Sequence, residues 1–329
     1  MISYSIEDIV QGILKKNRRI LAKAVSLVES TLPEDIAKSQ ELIDRLLNYS
    51  GKSLRIGISG VPGVGKSTFI DAFGLMLLEK NRKLAVLAVD PSSSRSGGSI
   101  LGDKTRMLSL SQRPDVFIRP SPSSGALGGV ARKTRETILL CEAAGFDTIL
   151  VETVGVGQSE TTVASMVDFL LVLMLPNAGD ELQGIKRGIM EMGDGFVVNK
   201  ADGEQIAAAN LTARRLENAL HFLTPRTKGW NPFVTLCSSL EKKGMEEIEK
   251  HIQKFFLDSC RIQERRKAQD SQWMHSLIQE SLYNQFYSHP KIFQLLLEKE
   301  KEIWDNKKTA TKAALELLKV FENTLTAAK

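Results

Sequence analysis

The segment that most constrains this chain is Gly60-Val61-Pro62-Gly63-Val64-Gly65-Lys66-Ser67, which fits GxxxxGK[ST] at every fixed position. An apolar run, Leu54–Ser59, precedes it, and a helical pattern from Ser67 to about Glu79 follows. The string has chemical meaning only in that strand–loop–helix setting. Glycines let backbone N–H groups turn inward around an anion without Cβ obstruction, and the helix N-terminus adds favourable partial charge. Gly60, Pro62, Gly63, Val64, Gly65, Lys66, Ser67 and Thr68 are therefore candidate phosphate-binding residues. Lys66 is expected to neutralise β- and γ-phosphate oxygens, and the Ser67 hydroxyl to ligate Mg²⁺. A glycine-rich turn with a chance lysine is the bland alternative, and the correct placement of both flanking elements argues against it.

The rest of the chain agrees with an α/β fold. Short apolar runs recur at Leu54–Ser59, Leu84–Val89, Val116–Ile118, Thr148–Glu152, Phe169–Leu175, Phe196–Val198 and Phe233–Leu236, with helical patterns between most of them. That alternation predicts a mostly parallel sheet covered by helices, with ligands beyond the C-terminal strand ends. Residues 1–50 read as a helical extension. Ser5-Ile6-Glu7-Asp8 resembles a capping box, an apolar stripe through Leu21, Ala24, Val25 and Val28 runs until Pro33, and a further helix covers roughly Ser39–Leu47. Residues 258–329 return to helix, broken at His289-Pro290. This predicts three parts, 1–50, 51–257 and 258–329.

Composition excludes several classes. The 329 residues carry a net charge of +5, which suits an anionic ligand without implying nucleic acid. Basic clusters at Arg261–Lys267 and Lys299–Lys312 are interleaved with Glu, Asp or Gln and are expected to be solvated helix faces. Cys141, Cys237 and Cys260 form no CxxC pair, and His221, His251, His275 and His289 lack metal-ligand spacing. The longest apolar run, Phe169–Leu175, is too short to cross a bilayer, and no signal-peptide pattern opens the chain. A cytoplasmic location is the expectation.

Three acids are candidate metal ligands beside Ser67. Asp90 ends one strand, Asp103 lies in a Gly/Ser-rich loop, and Glu152 ends the strand Thr148–Glu152. Glu152-Thr153-Val154-Gly155 has the shape of a DxxG switch with Glu for Asp, in which the Gly155 N–H reaches a γ-phosphate. Gln158 is a candidate for orienting an attacking water, which makes Lys66, Glu152 and Gln158 the candidate catalytic set. Asn199-Lys200-Ala201-Asp202 is NKxD at a strand end. A carboxylate only accepts hydrogen bonds, so Asp202 can take the ring N1–H and exocyclic amine of guanine, a pair that adenine does not present. The Lys200 stem can lie over the base, and Asn199 can brace the neighbouring loop. Ser238, Ser239 and Leu240 follow the next strand, where GTPases often carry a Ser-Ala step that caps the guanine oxygen; here Ser239 replaces the alanine.

Together these segments resemble the MeaB/ArgK-type GTPases associated with methylmalonyl-CoA mutase. The matching stretches are Asn17 through Glu29, the phosphate loop, Val89–Met107, Glu152–Glu160, Pro176–Gly188 and Asn199–Asp202. The resemblance implies a SIMIBI-class P-loop NTPase with an N-terminal helical extension and a C-terminal helical arm that makes a homodimer. It implies Mg²⁺ held by Ser67, Asp90, Asp103 and Glu152, bound GTP or GDP, and a further switch at 176–188, where Asn177 stands in place of an expected Gly. The implied role is a G-protein chaperone that gates adenosylcobalamin loading onto the mutase and protects that enzyme. Two other readings compete: a kinase or ATPase of a lysine-arginine-ornithine transport system, which NKxD disfavours, and a metal-insertion GTPase, for which the His and Cys residues are wrongly spaced. A targeting or nucleic-acid-associated GTPase would need a basic or Met-rich domain that the tail does not supply.

Overall fold

The computed structural model describes residues 4–89, 107–120, 127–153, 159–176 and 187–327. They fall into two compact units, Met1–Arg266 and Lys267–Lys329. Seven strands form the sheet of the first unit: β1 (Leu54–Gly60), β2 (Leu84–Val89), β3 (Val116–Arg119), β4 (Thr148–Thr153), β5 (Phe169–Met174), β6 (Gly195–Val198) and β7 (Phe233–Leu236). Each expected strand forms, with ends shifted by no more than one residue. Every pairing is parallel, in the order β3-β2-β4-β1-β5-β6-β7. β1 is flanked by β4 and β5, so chain connections diverge around it and leave a crevice beyond its C-terminal end.

The helices of this unit are α1 (Ile6–Leu14), α2 (Arg18–Glu29), α3 (Pro33–Leu46), α4 (Lys66–Glu79), α5 (Leu108–Ser111), α6 (Leu127–Ala143), α7 (Ser159–Ala164), α8 (Arg187–Met192), α9 (Ile206–Leu220) and α10 (Met245–Phe256). α4 and α10 cover one face, where Phe69, Phe73, Ile248 and Phe255 pack on Ile56, Ile58, Leu171 and Leu173. On the opposite face Gly57 lets Val163 and Val167 approach so closely that a Cβ would lie 2.9 and 3.0 Å from them. A strand buried on both faces loses its polar alternation, which is why β5 reads as a continuous apolar run.

α1 starts at the expected capping box: Asp8 N–H donates to Ser5 Oγ at 3.1 Å, and Ser5 N–H to Asp8 Oδ2 at 3.0 Å. The N-terminal reading needs one correction. Pro33 begins α3 as its first residue, six residues ahead of the expected Ser39 start, because a first-turn N–H has no intrahelical partner to lose. α1, α2 and α3 pack on α6. Arg18 donates to the carbonyls of Pro114 (2.9 Å) and Val116 (2.5 Å), and Glu29 pairs with Arg119, so α2 covers the edge strand β3.

A second correction concerns Arg261–Lys267. Arg265 and Arg266 do not face solvent. Arg265 holds Asp194 through contacts of 3.0 and 3.1 Å, and Arg266 holds Asp168 at 2.8 and 2.6 Å while donating to the carbonyls of Gly51 and Ser53. Both acids immediately precede a strand, and each also accepts a backbone N–H, from Leu170 and Arg55 respectively. Beside them Arg55 makes a two-pronged pair with Glu142, 2.8 Å on each arm.

In the second unit lie the later part of α11 (Ser259–Tyr287), α12 (Pro290–Trp304) and α13 (Ala310–Ala327). Pro290 again takes a helix's first position, which sets the break at His289-Pro290. Phe286 meets Phe321 edge to face, and Lys299 and Lys308 bridge Glu302 and Glu316 at 2.6–3.0 Å. The lysines expected on a solvated face thus join α12 to α13. Met274, Ile278, Leu282, Tyr283, Phe293, Leu297 and Trp304 are exposed in the chain, Trp304 by 82%. No helix among the described residues is long and apolar enough to cross a membrane.

Candidate functional site

At the C-terminal end of β1 the backbone turns through left-handed conformations at Gly63 (φ +79°) and Gly65 (φ +95°). Gly60 is required for a different reason: a Cβ there would lie 2.5 Å from the Leu173 carbonyl oxygen of β5. Lys66, the first residue of α4, is buried and donates from Nζ to the Gly60 and Val61 carbonyls at 2.8 and 3.2 Å. Burial pulls its pKa below the usual lysine value, against the opposing charges of Glu152 and Glu160. Pro62, Gly63 and Thr68 are exposed around the loop, and Val64 is buried beneath it.

Ser67 and Glu152 are brought together as the spacing predicts. The Ser67 hydroxyl donates to Glu152 Oε1 at 3.1 Å, joining the first turn of α4 to β4. Directly behind them the Thr153 hydroxyl meets Ser59 Oγ at 3.2 Å. The other acid and switch candidates, Asp90, Asp103, Gly155 and Gln158, lie outside the described residues, as does most of the 176–188 loop, residues 177–186.

The NKxD segment follows β6 and reaches the phosphate loop directly. Asn199 Nδ2 donates to the Val64 carbonyl at 2.8 Å, and Lys200 Nζ to the Gly63 carbonyl at 2.8 Å. Lys200 itself takes a left-handed backbone, φ +59°. Gly65 has to be glycine on this side too, since a Cβ would come within 2.9 Å of Asn199 Nδ2. Asn199 Oδ1 accepts from three donors: the Ser239 N–H (3.1 Å), the Ser239 hydroxyl (2.8 Å) and the Cys237 thiol (3.2 Å). Burial pushes the Cys237 thiol up to about 12, so it stays protonated and can donate. Ser238 donates its hydroxyl to Asp202 and accepts from the Glu241 N–H at 3.1 Å. Ala201 N–H donates to the Cys237 carbonyl (2.9 Å) and joins the two loops, while a Ser238–Lys243 bridge closes the second loop on itself. Leu240 stands 81% exposed at the rim.

The sequence-predicted residues therefore form two wired halves. Lys66, Ser67 and Glu152 meet at the ends of β1 and β4, while Asn199, Lys200, Asp202, Ser238 and Ser239 meet at the ends of β6 and β7; Asn199 and Lys200 link the halves through the loop carbonyls. Glu160 and Cys237 belong to the site's surroundings and were not singled out from sequence. Glu160 is buried near Lys66, and its only signal was its place at the end of the Glu152–Glu160 string.

Comparison with known proteins gives a consistent picture. Residues 21–291 match the family model described as methylmalonyl Co-A mutase-associated GTPase MeaB. A putative GTPase of Caulobacter vibrioides is 48% identical over 320 residues, 96% of this chain and 98% of that protein. The Escherichia coli GTPase ArgK is 46% identical over 288 residues, 87% of each chain. The mouse mitochondrial methylmalonic aciduria type A homolog is 44% identical over 331 residues, 97% of this chain and 80% of that protein. A solved structure of an LAO/AO transport system kinase superposes with a TM-score of 0.79 at 35% identity, covering 98% of this chain and 99% of that one.

Proposed function

The chain belongs to the MeaB family of GTPases, and from that premise we propose that it is a Mg²⁺-dependent G-protein chaperone of an adenosylcobalamin-dependent acyl-CoA mutase, methylmalonyl-CoA mutase by preference. In this reading the hydrolysis of GTP gates cofactor loading and protects the mutase. The observation that carries the nucleotide half is the Asn199 bridge. One buried side chain touches both the phosphate loop, through Val64, and the base-site loop, through Ser239. That wiring supports a single nucleotide whose phosphates and base are sensed together.

The roles follow from chemistry. Lys66 is an ammonium with three donors, held against the loop, and would neutralise β- and γ-oxygens. Ser67 and Glu152 offer a hydroxyl and a carboxylate 3.1 Å apart, hard oxygen donors of the kind Mg²⁺ takes. Asp90 and Asp103 are the further acids we assign to it. When bound, the metal supplies charge neutralisation to the phosphate oxygens. Gly155 would sense the γ-phosphate, Gln158 would orient the water, and the loop at 176–188 would carry the signal to the mutase. Asp202 would accept the N1–H and amine of guanine, with Lys200 and Leu240 against the base. The family description and the methylmalonic aciduria type A homologs support the mutase as client. The exposed apolar side chains of the C-terminal helices support a homodimer arm. With no membrane-crossing helix among the described residues, a cytoplasmic site of action fits.

The test is hydrolysis of GTP and ATP by the purified protein, with and without a cobalamin-dependent acyl-CoA mutase from the same source. GTP-selective turnover that rises with the mutase is the expected result. Turnover indifferent to the mutase would remove the client and leave the GTPase; a preference for ATP would overturn the base-site assignment.

A further inference from the structure

The last turn of α7 and the residue after it have every carbonyl from Thr161 to Ser165 engaged. Thr161 accepts the Ser165 N–H at 3.0 Å, Thr162 the Ser165 hydroxyl at 2.7 Å, and Val163 the Met166 N–H at 3.0 Å. The final two carbonyls go to arginines. Arg226, from the loop between α9 and β7, donates to the Ala164 carbonyl at 2.6 Å. Arg135 of α6 donates to the Ser165 carbonyl at 2.5 Å and to the Ser165 hydroxyl at 3.2 Å. Arg226 Nη1 makes no hydrogen bond among the described residues and stands 3.8 Å from Asp194, so the Ala164 carbonyl is what aims this guanidinium. Two cations suit the negative end of a helix, but water would satisfy the same carbonyls without the cost of desolvating charge. What the arginines add is a fixed position.

Beneath this end, Val163 and Val167 are seated on β1, where a Cβ at Gly57 would lie 2.9 and 3.0 Å from them. At the other end Glu160 is 1% exposed, and its charge acts on Lys66 of the phosphate loop. The candidate switch that begins at Glu152 runs straight into α7. Six residues are too few for a helix to hold its own shape, so the geometry of α7 is set from outside. We infer that Arg135 and Arg226 are positioning residues for GTP hydrolysis. They pin the far end of α7 and so fix where Glu160 and the segment before it stand against Lys66 and Ser67. This rests on the switch assignment above and adds to it two residues that act from the opposite end of the helix. The backbone of the phosphate loop and the first turn of α4 grip the nucleotide without help from α7. Losing a pin therefore slows the hydrolytic step and spares nucleotide affinity.

The test is steady-state GTP hydrolysis and GDP affinity for the wild-type chain, Arg135→Ala, Arg226→Ala and Arg226→Lys, with folded sites counted by GDP binding. Each alanine variant is expected to lose about tenfold or more in kcat, the scale on which a misplaced group slows a reaction. KM for GTP and Kd for GDP are expected to stay within about twofold. Arg226→Lys keeps a cation within reach of the carbonyl and is expected to recover most of the kcat. Glu142→Gln is the stability control. Its hydrogen bonds go to Arg55, Ser53 and Gly51, not to α7, and it is expected to keep the wild-type kcat per folded site. An unchanged kcat in Arg135→Ala would overturn the inference, and this variant decides the matter if Arg226→Ala does not fold. A loss in Glu142→Gln as large as in the arginine variants would also overturn it, since the effect would then follow stability. Failure of the underlying switch assignment is told apart by Glu152→Gln, which would then hydrolyse GTP at the wild-type rate and take the inference down with it.

Discussion

At the scale of single residues, the proposed nucleotide site rests on side chains whose substitution is expected to remove one function and spare the fold. Lys66 donates to carbonyls of its own loop, Gly60 and Val61, and its charge interacts with Glu152 and Glu160, so Lys66→Ala removes local contacts and one buried cation. We expect GTP turnover to fall by about two orders of magnitude or more, as for other lost transition-state donors. Circular dichroism and the melting profile should stay close to wild type, and unchanged hydrolysis would sink the phosphate-site assignment. Asp202 is held by the Ser238 hydroxyl, which leaves a carboxylate oxygen to face the base. Asp202→Asn replaces an acceptor by a donor. GTP affinity should drop at least about tenfold, with a shift toward xanthosine triphosphate, whose 2-oxo group accepts that donor. Competition binding with the two triphosphates decides it; an unaltered guanine preference would refute the assignment.

At the scale of elements, the telling contacts are ionic and lie at the opposite end of the sheet from the nucleotide loops. Asp168 is fully buried, and Arg266 donates two charged hydrogen bonds to its carboxylate. Arg266→Ala strands that carboxylate and loosens the start of α11, a loss of about 3–5 kcal/mol. Urea unfolding should report it as a lower midpoint, and a midpoint equal to wild type would mean that the clamp is dispensable. Glu142 gives these contacts a pH dependence. Burial pushes its pKa up, but the Arg55 hydrogen bonds and charge, with the Ser53 hydroxyl and Gly51 N–H, outweigh it and hold the group below its ordinary 4.5. A folded-state pKa below the unfolded one gives stability that is complete above the unfolded value and is lost as pH falls through the folded one. Glu142→Gln should therefore start less stable at neutral pH and lose less on acidification below about 4.5. Melting temperatures across that window test this, and parallel curves for the two proteins would contradict it.

For the whole molecule, the exposed apolar side chains of the last three helices carry the prediction. Ile278 and Leu282 lie one turn apart on α11, and Phe293 and Leu297 one turn apart on α12; all four are exposed. A contiguous apolar face of this kind marks a contact surface. On the proposed homodimer, light scattering should give twice the 36.4 kDa of one chain, and Leu282→Glu combined with Phe293→Glu should return the mass to a single chain with GTP turnover retained. A wild-type chain that stays monomeric at micromolar concentration would remove the dimer.

Local physics made much of this legible before any coordinates. The strands were visible because a parallel strand covered on both faces must be apolar throughout, and the phosphate loop because only glycine tolerates its turns and close approaches. The Asn199-Lys200-Ala201-Asp202 string stood out because it ends a strand downstream of that loop. The sequence by itself determined the α/β class, the strand ends and the residue types gathered at the candidate nucleotide site. It could not reveal that Arg265 and Arg266 are clamped inside, since Asp194 and Asp168 are remote in the chain and a mixed-charge helix looks the same whether it is solvated or paired. Nor could it reveal that Asn199 gathers three donors on one oxygen. Those outcomes were left to the tertiary structure, because a hydrogen bond depends on where two groups lie in space, and strand order, not chain order, sets that distance.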